Sequence, residues 1–300
     1  MRAWYSDHFE VPLPEGHRFP MEKYRRLREL LLARGILALG ELTPAEEAPR
    51  ERLALVHTPA YLDALFSGQL TEAEVRRLGF PWSPALLARS RASVGGTVAA
   101  AWAALERGWA GNLAGGTHHA FADHGEGYCV FNDIAVAIRT LQSERRIRRA
   151  VVVDLDVHQG NGTAAIFSGD DEVFTFSMHG EKNFPFRKQK SHRDVELPDG
   201  TDDARFLEAL DRHLPEVLEA AGADLLFYQA GVDALAEDTL GRLSLTHAGM
   251  RARDEQVFRA AWHRGIPVVT TLGGGYARPI ESTLEAYVGT WTEAKRVLGD

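Results

Sequence analysis

The chain has 300 residues, 45% hydrophobic and 25% charged, enough apolar material for one large α/β domain or two small ones. No apolar run reaches the ~20 residues of a membrane-spanning helix, and Met1–Tyr5 lacks the architecture of a signal peptide. Cys129 is the only cysteine, which excludes an internal disulfide and makes a reducing cytoplasm the default compartment, while a net charge of −8 disfavours nucleic acid as the main partner.

Read in chain order, an apolar strand at 1–5 precedes a helical pattern over Met21–Arg34 and a longer one over Ser83–Arg107. A strand at 110–114, a helix over Asp133–Ser143 and strands at 150–157 and 173–178 follow. The stretch 180–200 is polar and aperiodic and reads as a long loop of the kind that is often functional. Beyond it lie helix Asp202–Ala221, strand 224–230, helix Thr246–Arg264, strand 266–272 and helix Glu281–Leu298. Several helices open at Ser, Thr, Asp or Pro. Continuously apolar, β-branched strands alternating with helices predict an α/β fold of three layers, a mostly parallel central sheet covered on both faces. With no linker and no internal repeat, residues 1–300 read as a single domain.

Ligands in such sheets bind beyond the carboxyl ends of the strands. Four strands run there into unusual chemistry: Gly115-Gly116-Thr117-His118-His119, Asp154-Leu155-Asp156-Val157-His158, Gln229-Ala230-Gly231-Val232-Asp233 and Gly273-Gly274-Gly275-Tyr276. Asp154, Asp156 and His158 alternate, and in an extended strand they share one face. Charge coming out of an apolar strand is costly unless paired or metal-bound. The competing reading is a structural Asp pair with one satisfied histidine.

Asp156, His158 and Asp233 are the candidate metal ligands. Three N/O ligands leave a position open, as in catalytic rather than structural zinc sites, although Fe(II), Co(II) and Mn(II) suit the same donors. Asp233 could equally cap a helix. One of His118 and His119 could serve as general base and the other as an electrostatic or hydrogen-bonding partner. Asp154 and Asn161 are candidate partners that orient the histidines. Tyr276 after three glycines could donate to a developing oxyanion, or could simply be a packed aromatic. Cys129 reads as buried packing rather than as a nucleophile. A Gly-x-Ser-x-Gly elbow and a phosphate-binding Gly-x-x-x-x-Gly-Lys loop are both absent.

These segments, with Pro14-Glu15-Gly16-His17-Arg18-Phe19-Pro20 and Gly127-Tyr128-Cys129-Val130-Phe131-Asn132-Asp133, make the chain resemble the histone deacetylase family of the arginase/deacetylase fold over essentially its whole length. The early Glu-Gly-His-Arg-Phe-Pro and Leu240-Gly241-Arg242-Leu243-Ser244 look most like its class IV and bacterial branch. The resemblance implies Zn2+ on Asp156, His158 and Asp233, with Fe2+ or Co2+ as alternatives. It implies His119 as general base and then acid, His118 backed by Asp154 as electrostatic partner, and Tyr276 as oxyanion donor. It also implies a structural K+ or Na+ held by Asp154, the Asp156 and His158 backbones, Ser177 and Met178. Gly127, Tyr128, Leu240 and Gly274 would border the acyl-amine channel.

Asn161 stands where some members of the family carry Asp as the partner of His119, which removes one negative charge. Leu240 aligns with the position of a gatekeeping glutamate in polyamine deacetylases. It offers a cationic amine no partner, so acyl-lysine in a peptide or protein is the expected substrate. Acetylpolyamine or another small N-acyl amine is the alternative, kept open by Glu237 and Asp238. A binuclear manganese ureohydrolase would need a second carboxylate cluster. A catalytically dead binding module would have lost Tyr276 or the histidine pair.

Overall fold

The computed structural model describes residues 1–299. In chain order its elements are β1 (Ala3–Tyr5), α1 (Lys23–Ala33), β2 (Leu42–Pro44), α2 (Arg50–Leu53), α3 (Pro59–Ser67), α4 (Glu72–Leu78), α5 (Pro84–Arg107), β3 (Trp109–Asn112) and α6 (Asp133–Ser143). The second half adds β4 (Ala150–Asp154), α7 (Asn161–Ile166), β5 (Val173–Gly180), β6 (Arg193–Leu197), α8 (Asp203–Ala221), β7 (Leu225–Gln229), α9 (His247–Trp262), β8 (Val268–Thr271) and α10 (Ile280–Leu298). The predicted helix starts at Ser83, Asp202 and Thr246 are N-caps: each side chain accepts a backbone N–H three residues on, from Leu86, Arg205 and Gly249.

The strands form one eight-stranded sheet in the order β2-β1-β3-β8-β7-β4-β5-β6, and every pairing is parallel. All carboxyl ends therefore lie on one edge. Alternate strand residues feed opposite cores. Val151, Val153, Leu226 and Tyr228 pack with helices α1, α8, α9 and α10, whereas Val152 and Phe227 pack with α3, α5 and α6. This is why the strands read as unbroken apolar runs: both faces are covered. Each such side chain removed wholly from water is worth about 1.5–3 kcal/mol.

Two expectations change. The strand predicted at 150–157 stops at Asp154. The Asp154 carboxylate accepts the Asp156 N–H (3.2 Å), and that of Asp156 accepts the His158 N–H (2.9 Å). These successive side-chain-to-backbone turns draw the chain out of the ladder, so Asp154, Asp156 and His158 do not share a strand face. The predicted loop at 180–200 contains β6, which pairs with β5. As an edge strand carrying Arg193, Asp194 and Glu196 it is half-exposed, which hides it from an apolar-run criterion. Elements as short as β2, α2 and α7 leave no periodicity to detect.

Candidate active site

The four central strands end in polar residues: β3 in Asn112, β8 in Thr271, β7 in Gln229 and β4 in Asp154. Asp154 lies in register with Gln229 on one side and Ser177 on the other, and Gln229 with Thr271. A buried polar row therefore closes the apolar sheet, and the loops above it carry the chemistry.

Asp156, His158 and Asp233 converge there, with one donor atom from each within 4.8 Å of the others and all three residues buried. His158 Nδ1 lies 3.1 Å from Asp156 Oδ1 and 3.0 Å from Asp233 Oδ2. The other oxygens are also engaged: Gly274 N–H donates to Asp156 Oδ2 (2.8 Å) and Val157 N–H to Asp233 Oδ1 (2.9 Å). A Cβ on Gly274 would collide with the Asp233 carboxylate and come within 2.9 Å of Asp156 Oδ2, so only glycine lets the loop after β8 approach so closely. From below, the buried Arg253 of α9 donates to Gly231 O (2.6 Å) and Leu155 O (3.3 Å), clamping the two loops that hold Asp233 and Asp156.

Electrostatics make the cluster short of positive charge. Burial alone would lower the His158 pKa, but the Asp233 and Asp156 carboxylates push it up to about 10. Burial and the like charge of Asp156 push Asp233 up to about 7. One imidazole nitrogen between two carboxylate oxygens is a donor set that fits a borderline divalent cation such as Zn2+, and Fe2+ or Co2+ as well.

His118 and His119 stand beside this cluster, ring centroids 4.1 Å apart. The loop carrying them is organised by Asp133 at the start of α6, whose carboxylate accepts N–H groups from Gly116 (3.0 Å) and Thr117 (2.8 Å). His118 Nδ1 meets Asp154 Oδ2 at 2.7 Å. Burial works against its charge, yet Asp154 and Asp156 outweigh burial and raise its pKa to about 9. His119 Nδ1 donates to Asn161 Oδ1 (2.7 Å). Burial, reinforced by repulsion from His118 and His158, holds His119 well below its ordinary pKa. The two neighbours are thus pushed in opposite directions, His118 toward the imidazolium and His119 toward the neutral ring.

Asn161 does more than face His119. Its amide Nδ2 donates to Glu126 Oε2 (3.1 Å), which fixes which end of the amide points at the imidazole.

The site opens outward between aromatic walls. Phe184 stands edge-on to His119, centroids 4.9 Å apart, and Tyr128 lies 6.2 Å from Tyr276. Gly127 has φ +56°, and a Cβ there would press on the His119 ring. Tyr128 itself sits at φ +67°, a costly backbone for a bulky residue, and its N–H is tied to Leu78 O (2.8 Å). Asp238 accepts the N–H groups of Tyr276 (2.6 Å), Leu240 (2.8 Å) and Gly241 (2.9 Å), locking the Tyr276 loop to the Leu240 turn. Burial and the Asp233 charge raise the Tyr276 pKa well above normal, so the phenol keeps its proton.

The sequence matches the family model of the histone deacetylase domain over residues 17–291. The chain belongs to the histone deacetylase family. This deacetylase is 46% identical to an uncharacterised Picosynechococcus protein over 92% of each chain. It is 34% identical to a histone deacetylase-like amidohydrolase of Pseudomonas aeruginosa, covering 93% of this chain and 76% of that one. The solved structure of a histone deacetylase homologue complexed with SAHA superposes with a TM-score of 0.80 at 25% identity, over 99% of this chain and 88% of the other. The three-layer arginase/deacetylase fold expected from the sequence is the fold observed.

Within the deacetylase, the predicted site residues gather at one sheet edge. Asp154, Asp156, His158, Asp233, His118, His119 and Asn161 form the floor, while Gly127, Tyr128, Leu240, Gly274 and Tyr276 surround the way in. Ser177 and Met178 lie on β5 beside Asp154, where the monovalent ion was expected. Sequence reading gave no site role to Glu126, Phe184, Gln229, Arg253 or Lys23, and named Asp238 only as a carboxylate that could meet a polyamine. Buried Lys23 donates to Gly273 O (3.3 Å) and Gly275 O (3.4 Å) behind Tyr276. Lys23 and Arg253 sit in charged helical runs that read as solvated faces. Asp238 alone carried a signal, an Asp opening a turn before Thr-Leu-Gly.

Proposed function

We propose that this deacetylase-family hydrolase removes acyl groups from lysine side chains in peptides or proteins, using Asp156, His158 and Asp233 to hold a divalent cation, most simply Zn2+. The observation that carries this reading is the floor itself: one N/O/O donor cluster beside two histidines held differently, His118 by Asp154 and His119 by Asn161, at the end of an aromatic-walled cleft. A bound divalent cation would supply Lewis acidity toward the amide carbonyl and a hydrolytic water of lowered pKa.

The chain's own residues do the rest. With Nδ1 donating to Asn161, His119 presents an unprotonated Nε2 that accepts the proton of the attacking water. The same nitrogen then returns that proton to the departing lysine amine. His118, kept cationic by Asp154, stabilises negative charge as the carbonyl becomes tetrahedral and leaves proton transfer to His119. Tyr276, its phenol protonated, donates to the forming oxyanion. Tyr128 and Phe184 flank the lysine methylenes and keep water away. Asp154, Ser177 and Met178 would hold a K+ or Na+ beneath the floor, bracing Asp156 and His158.

Leu240 lines the cleft where a polyamine-selective site needs a carboxylate. The deciding experiment is a panel of acyl-lysine peptides of increasing acyl length beside acetylspermidine, run on wild type and Asp233→Ala with metal content measured on each preparation. Turnover of lysine peptides that disappears with the metal in Asp233→Ala is expected. Faster hydrolysis of acetylspermidine, or activity that survives metal loss, overturns the reading.

A further inference from the structure

Outside the narrow tunnel lined by Tyr128, Tyr276, His119 and His158 lies a wider cleft whose charge is opposite to that of the molecule. It is an open volume of ≈ 770 Å³ reaching from His119, His158 and Tyr276 to the surface. Five cationic side chains line it, Arg18, Arg76, Arg77, Lys182 and Arg242, against the single carboxylate of Glu126. The whole chain, by contrast, carries −8. Glu126 is already engaged with the Asn161 amide. Arg76 and Arg242 pair with Glu72 and Asp199, both at 3.3 Å and exposed. Arg18, Arg77 and Lys182 are exposed and make no ion pair among the described residues.

The loop read as functional from its composition supplies one side of this mouth. Three of the chain's five lysines, Lys182, Lys188 and Lys190, fall within it. It is a built loop. Lys188 Nζ donates to the carbonyls of Glu181 (3.2 Å), Asn183 (2.6 Å) and Pro185 (2.7 Å), and Gln159 exchanges two hydrogen bonds with the Gln189 backbone (2.6 and 2.8 Å). From this braced loop Phe186 projects into the cleft while remaining 86% exposed. An aromatic held out in water beside three free cations suits a polypeptide more than a small ion: the ring packs on a neighbouring side chain and the cations meet carboxylates.

We infer that the mouth selects acylated lysines lying in acidic sequence, with Arg18, Arg77 and Lys182 reading carboxylates that flank the lysine and Phe186 contacting the peptide beside them. This rests on the acyl-lysine reading above. It places specificity in the approach to the tunnel rather than in the tunnel itself. A cationic mouth on an acidic molecule concentrates anionic segments at the opening above His119 and repels polyamines and lysine-rich tails.

The test uses metal-loaded enzyme and matched acetyl-lysine peptides flanked by Asp and Glu, by Gln, or by Lys and Arg. The readout is the ratio of kcat/KM for acidic over basic peptide within each preparation, which cancels differences in the amount of active protein. A ratio of about tenfold at low ionic strength is expected, residing mainly in KM and shrinking as salt screens it. Arg18→Glu/Arg77→Glu/Lys182→Glu is expected to invert the ratio. Phe186→Ser is expected to raise KM for peptides more than for single acetyl-lysine. A wild-type ratio at or below one, or a ratio unmoved by the triple reversal, overturns the inference while leaving the chemistry intact. Hydrolysis of acetylspermidine with none of any lysine peptide would instead overturn the acyl-lysine reading beneath it.

Discussion

Replacing Asn161 by Asp puts a carboxylate beside His119, and the structure says why that alone changes little. One oxygen of the new carboxylate would keep the 2.7 Å contact with His119 Nδ1, while the other would face Glu126 Oε2 where the amide now donates at 3.1 Å. At ~4 Å and an effective dielectric of ~20, each interaction has a gross magnitude of about 4 kcal/mol, one attractive toward imidazolium and one repulsive between carboxylates. The repulsion does not itself act on the His119 proton, but it drives the two carboxylates to share one proton, which removes the charge that would attract the imidazolium. Adding Glu126→Gln replaces the repulsion with an amide donor and leaves the attraction standing. The assay is kcat/KM against pH for wild type, Asn161→Asp, Glu126→Gln and the double variant, all metal-loaded. Because the base acts unprotonated, a raised His119 pKa moves the acidic limb to higher pH, and every ~1.4 kcal/mol retained moves it by about one pH unit. The double variant is expected to show the largest displacement and Asn161→Asp a small one. A limb at the same pH in all four proteins would refute His119 as the group that sets it. A larger shift in the single than in the double variant would refute the Glu126 coupling.

Tyr276→Phe should leave KM and metal content near wild type and lower kcat by about 100- to 1,000-fold, the worth of one oxyanion donor; full turnover would remove the phenol from the chemistry. Gly274→Ala forces a Cβ against the Asp233 carboxylate and should lower metal stoichiometry in purified protein while leaving the circular dichroism spectrum unchanged; full metal occupancy would contradict the close approach. Burial lowers His57 from its ordinary 6.5 to about 4, so the unfolded chain takes up a proton that the folded chain refuses. Stability from this group is whole above about pH 7 and falls by about 2 kcal/mol on going to about pH 5, nearing its limit as pH approaches 4. Urea unfolding should show a shallower loss over that window in His57→Gln than in wild type.

What the sequence disclosed was whatever is written locally. Continuous β-branched runs marked the central strands, and Ser83, Asp202 and Thr246 marked helix starts, because capping and burial are decided within a few residues. The floor of the site was legible for the same reason: His118, Asp154, Asp156 and Asp233 follow apolar strands directly. What stayed hidden depends on contacts across the fold. Lys23 and Arg253 look like surface charges in helical runs, yet each is buried to hold carbonyls of site loops that come from distant parts of the chain, 250 residues away for Lys23 to Gly273 and 98 for Arg253 to Leu155. Glu126 gains its meaning only by meeting Asn161, 35 residues later. Strand β6 was mistaken for loop because edge strands carry charge. The alternation of Asp154, Asp156 and His158 pointed to residues that do gather at the sheet edge, but through the wrong geometry, since the aspartates' own side chains end the strand.

The charge balance of the floor makes one further demand on the metal. Asp156 and Asp233 face the single imidazole of His158 in a buried space, so even with it protonated the group lacks one positive charge. The rise of Asp233 to about 7 reports that deficit: lacking a second cation, the cluster takes up a proton. A divalent ion that displaces the proton of His158 brings the sum to neutrality; a monovalent ion falls short and a trivalent one overshoots. Binding must then expel protons from His158, held up to about 10, and from Asp233. Affinity for Zn2+ should accordingly rise with pH across the window from about 7 to about 10. Titration calorimetry in buffers of different ionisation enthalpy should register proton release of about one per ion or more near neutrality. Binding without proton release, or affinity flat across that window, would mean that these two carboxylates and this imidazole are not what grips the ion.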